Sequence, residues 1–483
     1  MLNSINESPL FKIANPKSIA LFGASNNITS MGSIMLSSLL SIGYEGTIYP
    51  VHLKEETVQD IKAYKSVLDL PETPDLSIIV LPTNIVCKTM DQCGRKGIKH
   101  AVVVSGGFKE VGTQGKDMET ELIQIAKKYG IRFLGPNCLG IANPHQKLNP
   151  TPFSYEGLPG CIGMASQSGS FVTQMFDYLN RLGLGFSTAF SVGNEANIDI
   201  IDCMKYLGAC PNTKVISMYI EGIKHGKAFV ETARAIIPHK PIVALYVGGS
   251  EAGRQAGFSH TGAMAGPDRL YDGIFRQSGV IRAQSITELF DFSWALSSQP
   301  RSIGRKVIVQ TNSGGPGATA ADAIGREGME LSPLSQKTRD KLAPFIPHTG
   351  SIKNPIDITF SRNQMDFYTN IPEILLKEEN ADMLMIYFLA PTNMIKQMMI
   401  KMGVPKNELN KKLDEIVHKN SDAFMAMLDN HKKPVIGYTY NSIQEHFIRA
   451  LIDRGIPIFP DPKRAAKAMG AVIQYGQMSN KTQ

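Results

Sequence analysis

The chain has 483 residues, of which 43% are hydrophobic and 19% are charged, and its formal net charge is +7. At roughly 150 residues per domain, this length predicts about three domains. The mild positive charge suits polyanionic small molecules but is too weak to indicate a nucleic-acid-binding protein. No apolar stretch reaches the roughly 18 residues of a membrane span, and residues 1–12 do not resemble a secretory signal.

The cysteines form no CxxC pair and lie near no histidine cluster of metal-binding type. This pattern predicts reduced thiols in a cytoplasmic protein without a metal site. The six are Cys87, Cys93, Cys138, Cys161, Cys203 and Cys210.

Strands and helices are predicted to alternate from residue 10 to residue 150. Such alternation predicts a Rossmann-like parallel sheet with helices on both faces. The predicted strands are 18–23, 46–51, 75–81, 100–105 and 131–135, and the predicted helices are 32–42, 84–96 and 116–129.

Three small, glycine-rich turns follow strands of this predicted sheet, and ligands bind at that edge in such folds. They are Gly23-Ala24-Ser25, Ser105-Gly106-Gly107 and the turn that contains Asn137. The first lacks a full G-x-G-x-x-G fingerprint, and the second strand is followed by Lys54 instead of the acidic residue of an NAD site. A basic residue there suits a phosphorylated ribose, as in coenzyme A or NADP.

In the middle segment, residues 151–300, a candidate anion site, a carboxylate and an imidazole each follow a predicted strand. Ser166-Gln167-Ser168-Gly169 precedes a helix, where backbone amides favour an anion, and the turn with Gly193 and Asn194 is similar in kind. Glu221 follows the strand 214–220, and His260 lies in a glycine-rich loop after the strand 241–247. A carboxylate that orients an imidazole beside an anion site suits phosphoryl transfer to a histidine.

The last segment, residues 303–483, repeats the middle one. Ser313 precedes Gly328 by the same distance as Ser168 precedes Gly183, which indicates two domains of one fold. Residues 297–304 are predicted to be the linker, residues 354–357 a rigid turn, and residues 305–310, 382–388, 434–438 and 456–459 strands.

These motifs together resemble the alpha chain of ADP-forming (NDP-forming) acyl-CoA synthetases, which are relatives of succinyl-CoA synthetase. The matches run in family order over nearly the whole chain. They include residues 16–25, 105–108, 135–140, 166–169, 191–194, 219–221, 259–262, 311–317 and 354–357.

The resemblance implies an α/β protein with an N-terminal Rossmann-like CoA-binding domain (10–150) followed by two flavodoxin-like domains (151–300 and 303–483). It implies that His260 carries a phosphoryl group and that Glu221 stabilises it. CoA, a substrate, would bind at Gly23, Ala24, Ser25, Lys54, Ser105, Gly106, Gly107 and Asn137. Phosphate and the acyl group would bind at Ser166, Gln167, Ser168, Gly169, Gly193 and Asn194.

The resemblance also implies a partner. Family members use an ATP-grasp module for ADP or ATP with Mg²⁺, which predicts an ATP-grasp beta subunit in an α2β2 assembly and no tightly bound cofactor in this chain. The carboxylic acid stays open, as does ADP against GDP. Two alternatives also stay open, namely a non-catalytic CoA-binding regulatory homologue and an NADP-linked oxidoreductase.

Overall fold

The computed structural model describes residues 4–253, 266–359, 364–389 and 392–481. The chain divides into two compact units, Met1–Leu289 and Phe290–Gln483. Among the described residues, two large sheets and a two-stranded hairpin belong to the first unit, and a third large sheet belongs to the second. Across the described residues, no helix combines the length and the apolar character that a bilayer crossing requires.

The first sheet has the order β2-β1-β5-β6-β7, and all its neighbouring strands are parallel. The helices between them are Met31–Ser41, Thr83–Lys96 and Thr113–Tyr129, so the predicted Rossmann-like arrangement is confirmed. A short hairpin, β3–β4, was not predicted. The strands are β1 (Ser18–Phe22), β2 (Thr47–Val51), β3 (Thr57–Val58), β4 (Ile61–Lys62), β5 (Leu76–Ile79), β6 (His100–Val103) and β7 (Arg132–Leu134).

Alternating strand residues bury one face of this sheet under two of the helices. Ala20, Phe22 and Ile79 pack in one buried cluster with Val86 and Met90 of the helix Thr83–Lys96. The alternation follows from the two-residue period of a strand, which sends successive side chains to opposite faces.

The second sheet has the order β13-β12-β11-β9-β10-β8, with only β8 antiparallel. The helices are Gly169–Arg181, Ile200–Ala209, Gly226–Ile236 and Asp268–Ser278. The strands are β8 (Ile141–Ala142), β9 (Ile162–Ser166), β10 (Phe186–Ser191), β11 (Val215–Ile220), β12 (Ile242–Tyr246) and β13 (Ile281–Ala283).

Polar contacts join the two sheets within the first unit. Arg132 Nη2 lies 2.8 Å from Asp202 Oδ2, and Asn143 Nδ2 donates to the carbonyl oxygen of Ala14 at 2.8 Å. Strand β8 pairs with β10 although it lies within the range predicted for the first domain. The chain therefore enters the second sheet before residue 150. It does so through a strand of only two residues, which pairs antiparallel with β10.

The sheet of the second unit has the order β15-β14-β17-β18-β19, and β16 also pairs with β14. The strands are β14 (Lys306–Thr311), β15 (Glu330–Leu331), β16 (Ile356–Asp357), β17 (Met383–Tyr387), β18 (Val435–Tyr438) and β19 (Ile458–Phe459). The helices after the one at Ile286–Ser298 are Gly314–Arg326, Gln336–Leu342, Gln364–Tyr368, Asn370–Leu376, Thr392–Lys401, Leu409–Leu428, His446–Asp453 and Pro462–Lys481.

The predicted linker and the predicted rigid turn both need correction. The helix Ile286–Ser298 extends into the linker, and its Trp294 packs on Phe459 in the second unit. Asp291 of the same helix accepts two hydrogen bonds from Arg464 at 2.7 Å. Half of the predicted turn is strand β16, which pairs with Gln310 and Thr311 of β14.

The internal repeat extends to hydrogen bonds. Ser166 Oγ donates to the carbonyl oxygen of Ser168 at 2.7 Å and accepts the Ser168 amide at 3.1 Å. Thr311 Oγ1 makes the same two bonds with Ser313, at 2.9 and 3.2 Å. A helix of 13 residues follows in both places. Two flavodoxin-like segments are thus confirmed, whereas the domain limits drawn from the sequence stay predictions.

Candidate active site

The carboxyl ends of the strands of the first and second sheets border a cavity of 530 Å³. The first sheet contributes residues 80–82, 104–106 and 137–139, together with Met31. The second sheet contributes residues 167–170 and 193–194. The cavity therefore brings together Ser105, Gly106 and Asn137 from the predicted CoA group with most of the predicted phosphate group.

The helix Gly169–Arg181 begins at this cavity, and the side chain of its own N-cap residue leaves the first backbone amides unoccupied. Ser168 is the N-cap residue, yet its hydroxyl makes no capping hydrogen bond and lies 3.4 Å from Ser170 Oγ. Ser30, in contrast, caps its helix by accepting the Ser33 amide. An uncapped helix start with a positive dipole end favours an anion by about 0.3–1 kcal/mol when exposed.

Two members of the predicted phosphate group have other partners. Ser166 is fully buried, and its hydroxyl holds the turn to Ser168. The side chain of Gln167 bonds to the segment at Glu221. The ligand-facing part of this motif is therefore Ser168 with Gly169.

The predicted CoA residues near the first strand lie outside the lining of the large cavity. Gly23 has a φ of +92°, and a Cβ there would lie 2.0 Å from the carbonyl oxygen of Val80. Ala24 is buried, the Ser25 amide donates to Ser33 Oγ at 2.9 Å, and Lys54 is exposed. Glycine at position 23 is thus required by the turn itself.

The glycine turn after β6 is held by hydrogen bonds. Ser105 Oγ donates to the carbonyl oxygen of Leu81 at 2.6 Å, and Thr83 Oγ1 donates to that of Gly106 at 2.5 Å. Glu110 Oε1 accepts the Gly107 amide at 2.6 Å. This amide is consequently engaged within the protein.

Glu110 connects this turn to the second sheet through Asn194. Asn194 Nδ2 donates to Glu110 Oε2 at 2.6 Å and to the buried Glu119 at 2.8 Å. Burial alone would raise the pKa of the Glu110 carboxyl, but hydrogen bonds from Asn194 and from the amides of Gly107 and Phe108 lower it. Glu110 therefore acts as an ionised acceptor that fixes the two loops together.

Glu221 lies in a second, smaller cavity of 220 Å³. Gln167, Gly193 and Asn194 line both cavities and therefore form the wall between them. The described residues thus place Glu221 behind this wall, separated from the helix start at Ser168. His260 lies outside the described residues, so its predicted role stays a prediction.

Two lysines bind the wall from the side of the smaller cavity. Lys109 Nζ and Lys224 Nζ both donate to the carbonyl oxygen of Asn194. Burial and the positive charge of Lys224 lower the pKa of Lys109. Burial raises the pKa of Glu195, although Lys224 lies 3.4 Å from Glu195 Oε2 and opposes the rise.

Cys138 lines the large cavity but is unsuited to be a nucleophile. Burial raises the pKa of its thiol to about 12, so the thiolate is scarce at neutral pH. Its Sγ lies 3.4 Å from the carbonyl oxygen of Val103, which it contacts as a donor.

Several lining residues were not singled out from the sequence. Met31 and Leu139 line the large cavity, and Lys109 and Lys224 the smaller one. Lysines on loops and apolar residues after strands are common on protein surfaces, so neither pattern distinguishes a site. Two of them carried a signal, because Leu139 lies in the matched stretch 135–140 and Lys109 adjoins the Ser105–Gly107 turn.

Comparisons with known proteins agree with this arrangement. Residues 17–144 match the family described as CoA binding domain, and residues 159–296 match the succinyl-CoA ligase like flavodoxin domain. The alpha subunit of ADP-forming acetate–CoA ligase II from Pyrococcus furiosus is 38% identical, over 96% of this chain and 97% of that one. ADP-forming acetate–CoA ligase I from Archaeoglobus fulgidus is 36% identical, over 96% of this chain and 64% of that longer protein.

A solved structure agrees as well. The acetyl-coenzyme A synthetase 1 of Ca. Korarchaeum cryptofilum, described as dinucleotide forming and in complex with phosphate and ADP, superimposes with a TM-score of 0.85. It is 32% identical and covers 98% of both chains.

A CoA-binding domain joined to a succinyl-CoA ligase-like domain around one cavity defines an acid–CoA ligase of the succinyl-CoA ligase class. Within that class, the chain belongs to the ADP-forming acyl-CoA ligases, and it corresponds to their alpha subunit. Because the chain belongs to this family, the alternative of an NADP-linked oxidoreductase is rejected.

Proposed function

We propose that this chain interconverts an acyl-CoA, ADP and phosphate with a carboxylic acid, CoA and ATP, by way of an acyl phosphate and a phosphohistidine at His260. The observation that carries the proposal is the uncapped helix start at Ser168 and Gly169, which faces the same cavity as the turns of the CoA-binding domain. An anion held there lies beside any thioester bound across the first sheet.

In the first step a phosphate oxygen attacks the thioester carbonyl carbon. The carbon–sulfur bond breaks, and CoA leaves as a thiolate that takes up a proton. The amides at the start of the helix Gly169–Arg181 stabilise the charge on phosphate and on the acyl phosphate. The CoA contacts proposed for this step are Gly23, Ala24, Ser25, Lys54, Ser105, Gly106, Gly107 and Asn137, with the glycine turns and Asn137 nearest the reacting end.

In the second step a ring nitrogen of His260 attacks phosphorus, the bond to the acyl oxygen breaks, and the carboxylate leaves. Glu221 accepts a hydrogen bond from the other ring nitrogen and stabilises the imidazolium character. In the third step a β-phosphate oxygen of ADP attacks phosphorus, and the phosphorus–nitrogen bond breaks.

The third step requires a nucleotide site, which we assign to an ATP-grasp beta subunit that supplies Mg²⁺. Support comes from the relatives named as alpha subunits and from the Archaeoglobus relative, of which this chain spans only 64%. An α2β2 assembly in the cytoplasm is part of the proposal, and the six free thiols suit that compartment. A small monocarboxylate such as acetate is the proposed acid.

Reconstitution with an ATP-grasp beta subunit tests the proposal. With acetate, CoA and ATP, the complex is expected to form acetyl-CoA and to release ADP with phosphate instead of AMP. His260→Ala is expected to lower this rate at least 10³-fold, because no other group in the scheme carries the phosphoryl group. A wild-type chain that binds CoA without turnover would support the non-catalytic homologue instead.

A further inference from the structure

The side chain of Gln167 has all its hydrogen-bonding capacity engaged in the wall between the cavities. Its Oε1 accepts the backbone amides of Glu221 at 2.5 Å and Gly222 at 3.0 Å. Its Nε2 donates to the carbonyl oxygen of Gly222 at 2.7 Å and to Glu195 Oε2 at 2.9 Å. A primary amide offers two donors and two acceptor lone pairs, so this set leaves no group for a ligand.

Gln167 is itself held on two sides. Its backbone amide donates to the carbonyl oxygen of Tyr219 at 3.2 Å, at the end of β11. Glu195, its carboxylate partner, is buried and accepts the Ile200 amide at 2.9 Å. Lys224 Nζ lies 3.4 Å from the same carboxylate and donates to the carbonyl oxygen of Glu195 at 2.9 Å. The side-chain amide of Gln167 is therefore held in place, and it holds the backbone at Glu221 and Gly222 through its own hydrogen bonds.

We propose that Gln167 is a positioning residue that sets the backbone of Glu221, and thereby its carboxylate, for the phosphoryl transfer. The inference rests on the proposed function, in which Glu221 orients His260. It revises the sequence-based role of Gln167, because the residue acts through Glu221 and does not bind phosphate with its side chain.

Charge supports this role over that of a phosphate ligand. The donor end of Gln167 points at the carboxylate of Glu195 and its acceptor end at two amides. The titratable groups that line the smaller cavity beside it, among the described residues, are Glu195, Glu221, Lys109, Lys224 and Tyr271. A phosphate in contact with Nε2 would have to displace a carboxylate that is already paired with a lysine.

The test is Gln167→Met in the complex with the beta subunit, because methionine keeps the length and removes all four hydrogen bonds. The rate of phosphorylation of His260 in a single turnover is expected to fall about 10- to 100-fold, as a displacement near 1 Å does in positioned catalysis. The KM values for phosphate and CoA are expected to stay within about 2-fold, since neither ligand loses a contact. Gln174→Met, an exposed glutamine on the adjoining helix, is the matched control and should match the wild type.

A second pair of variants separates positioning from folding. Gln167→Glu keeps the acceptor for the two amides but sets a carboxylate against Glu195, so it should be slow. Glu195→Gln in the same chain restores a donor between the two side chains and should recover part of the rate. A raised KM for phosphate with normal phosphorylation, or unchanged kinetics in Gln167→Met, would overturn the proposal.

Amide hydrogen exchange in the full chain makes the inference independent of activity. The Glu221 and Gly222 amides should exchange faster in Gln167→Met than in the wild type or Gln174→Met. If wild-type His260 takes up no phosphate, the proposed function fails. Faster exchange of these amides in Gln167→Met would still show that the side chain of Gln167 holds this backbone segment. Unchanged exchange of the Glu221 and Gly222 amides in Gln167→Met would overturn the positioning role of Gln167, whatever the activity of the variant.

Discussion

At the scale of single residues, the wall between the two cavities is held by side chains that form hydrogen bonds within the protein. Gln167 and Ser166 belong to a motif that predicts phosphate binding, yet both make internal hydrogen bonds. Gln167, Ser168 and Gly169 all line the large cavity, but Ser168 and Gly169 stand at the helix start, where backbone amides favour an anion. The first two residues of the motif, Ser166 and Gln167, therefore support the wall, and the last two, Ser168 and Gly169, offer the helix start to an anion.

Gly193 offers a direct test of this wall. Its φ is +54°, and a Cβ would lie 2.3 Å from the carbonyl oxygen of Asn137 and 2.4 Å from that of Pro136. Gly193→Ala is therefore expected to lower the free energy of unfolding by about 3 kcal/mol, from strain and overpacking together. Chemical denaturation that follows the unfolding transition of the first unit measures this change in the free energy of unfolding.

The matched control is Gly273→Ala, in the helix Asp268–Ser278 of the same unit. A Cβ at Gly273 meets no atom within 4 Å, and alanine favours a helix over glycine. This variant is expected to gain about 0.5–1 kcal/mol. Equal stability of the two variants would contradict the packing described here.

At the scale of elements, the regular parts could be predicted and the irregular pairings could not. Buried strands such as β1 and β11 are mostly apolar, so the sequence predicts them within two residues of their ends. The hairpin β3–β4 was missed because its turn residues, Gln59 and Asp60, have φ values of 48° and 64° without a glycine or asparagine to signal them. The pairing of β16 was missed because it joins two residues to a distant strand.

The contact between Glu378 and the start of the helix Gln336–Leu342 predicts how the stability of the fold depends on acid pH. It is 2% exposed and accepts the amide and hydroxyl of Ser335, the N-cap of the helix Gln336–Leu342. Burial alone would raise its pKa, but hydrogen bonds from Ser335, Thr338 and Asn380 lower it to about 2.

The depressed pKa means that ionised Glu378 stabilises the fold above its ordinary value of 4.5, and that this stability is lost as pH falls towards 2. The contribution is on the order of 3 kcal/mol, because each pKa unit of the fall from 4.5 to about 2 corresponds to about 1.4 kcal/mol. Glu378→Gln should therefore be less stable than wild type at pH 7, and the gap should narrow between pH 4.5 and 2. The exposed neighbour variant Glu379→Gln should show no such gap, and a constant gap for Glu378→Gln would contradict the assignment. Thermal unfolding across this pH range measures it.

At the scale of the whole molecule, the three-sheet α/β organisation followed from strand and helix order. The grouping into units did not, because the helix Ile286–Ser298 looks like the end of the middle domain in sequence but packs with the second unit. The meeting of the first two sheets around a shared cavity depends on side-chain contacts such as Asn194 with Glu110, between residues distant in sequence.

The repeat also belongs to this scale. Both flavodoxin-like segments begin a 13-residue helix after the same hydroxyl-bridged turn, at Ser168 and at Ser313. They differ in what faces that turn, since Ser166 is paired with Ser191 and Tyr219 on its two neighbouring strands, whereas Thr311 is paired with Asp357. A negative charge in the second segment disfavours phosphate there and is consistent with assigning the anion to the helix start at Ser168.

The proposed role of His260 is to carry phosphate between the acyl phosphate and the nucleotide. Its most direct test is to incubate the chain and its beta subunit with acetyl-CoA and labelled phosphate without ADP, then to measure acid-labile, base-stable label on the alpha subunit. Close to one phosphoryl group per alpha chain is expected, together with its discharge by ADP and the absence of label in His260→Ala. Label that survives in His260→Ala, or none on an alpha chain that still consumes acetyl-CoA, would contradict it.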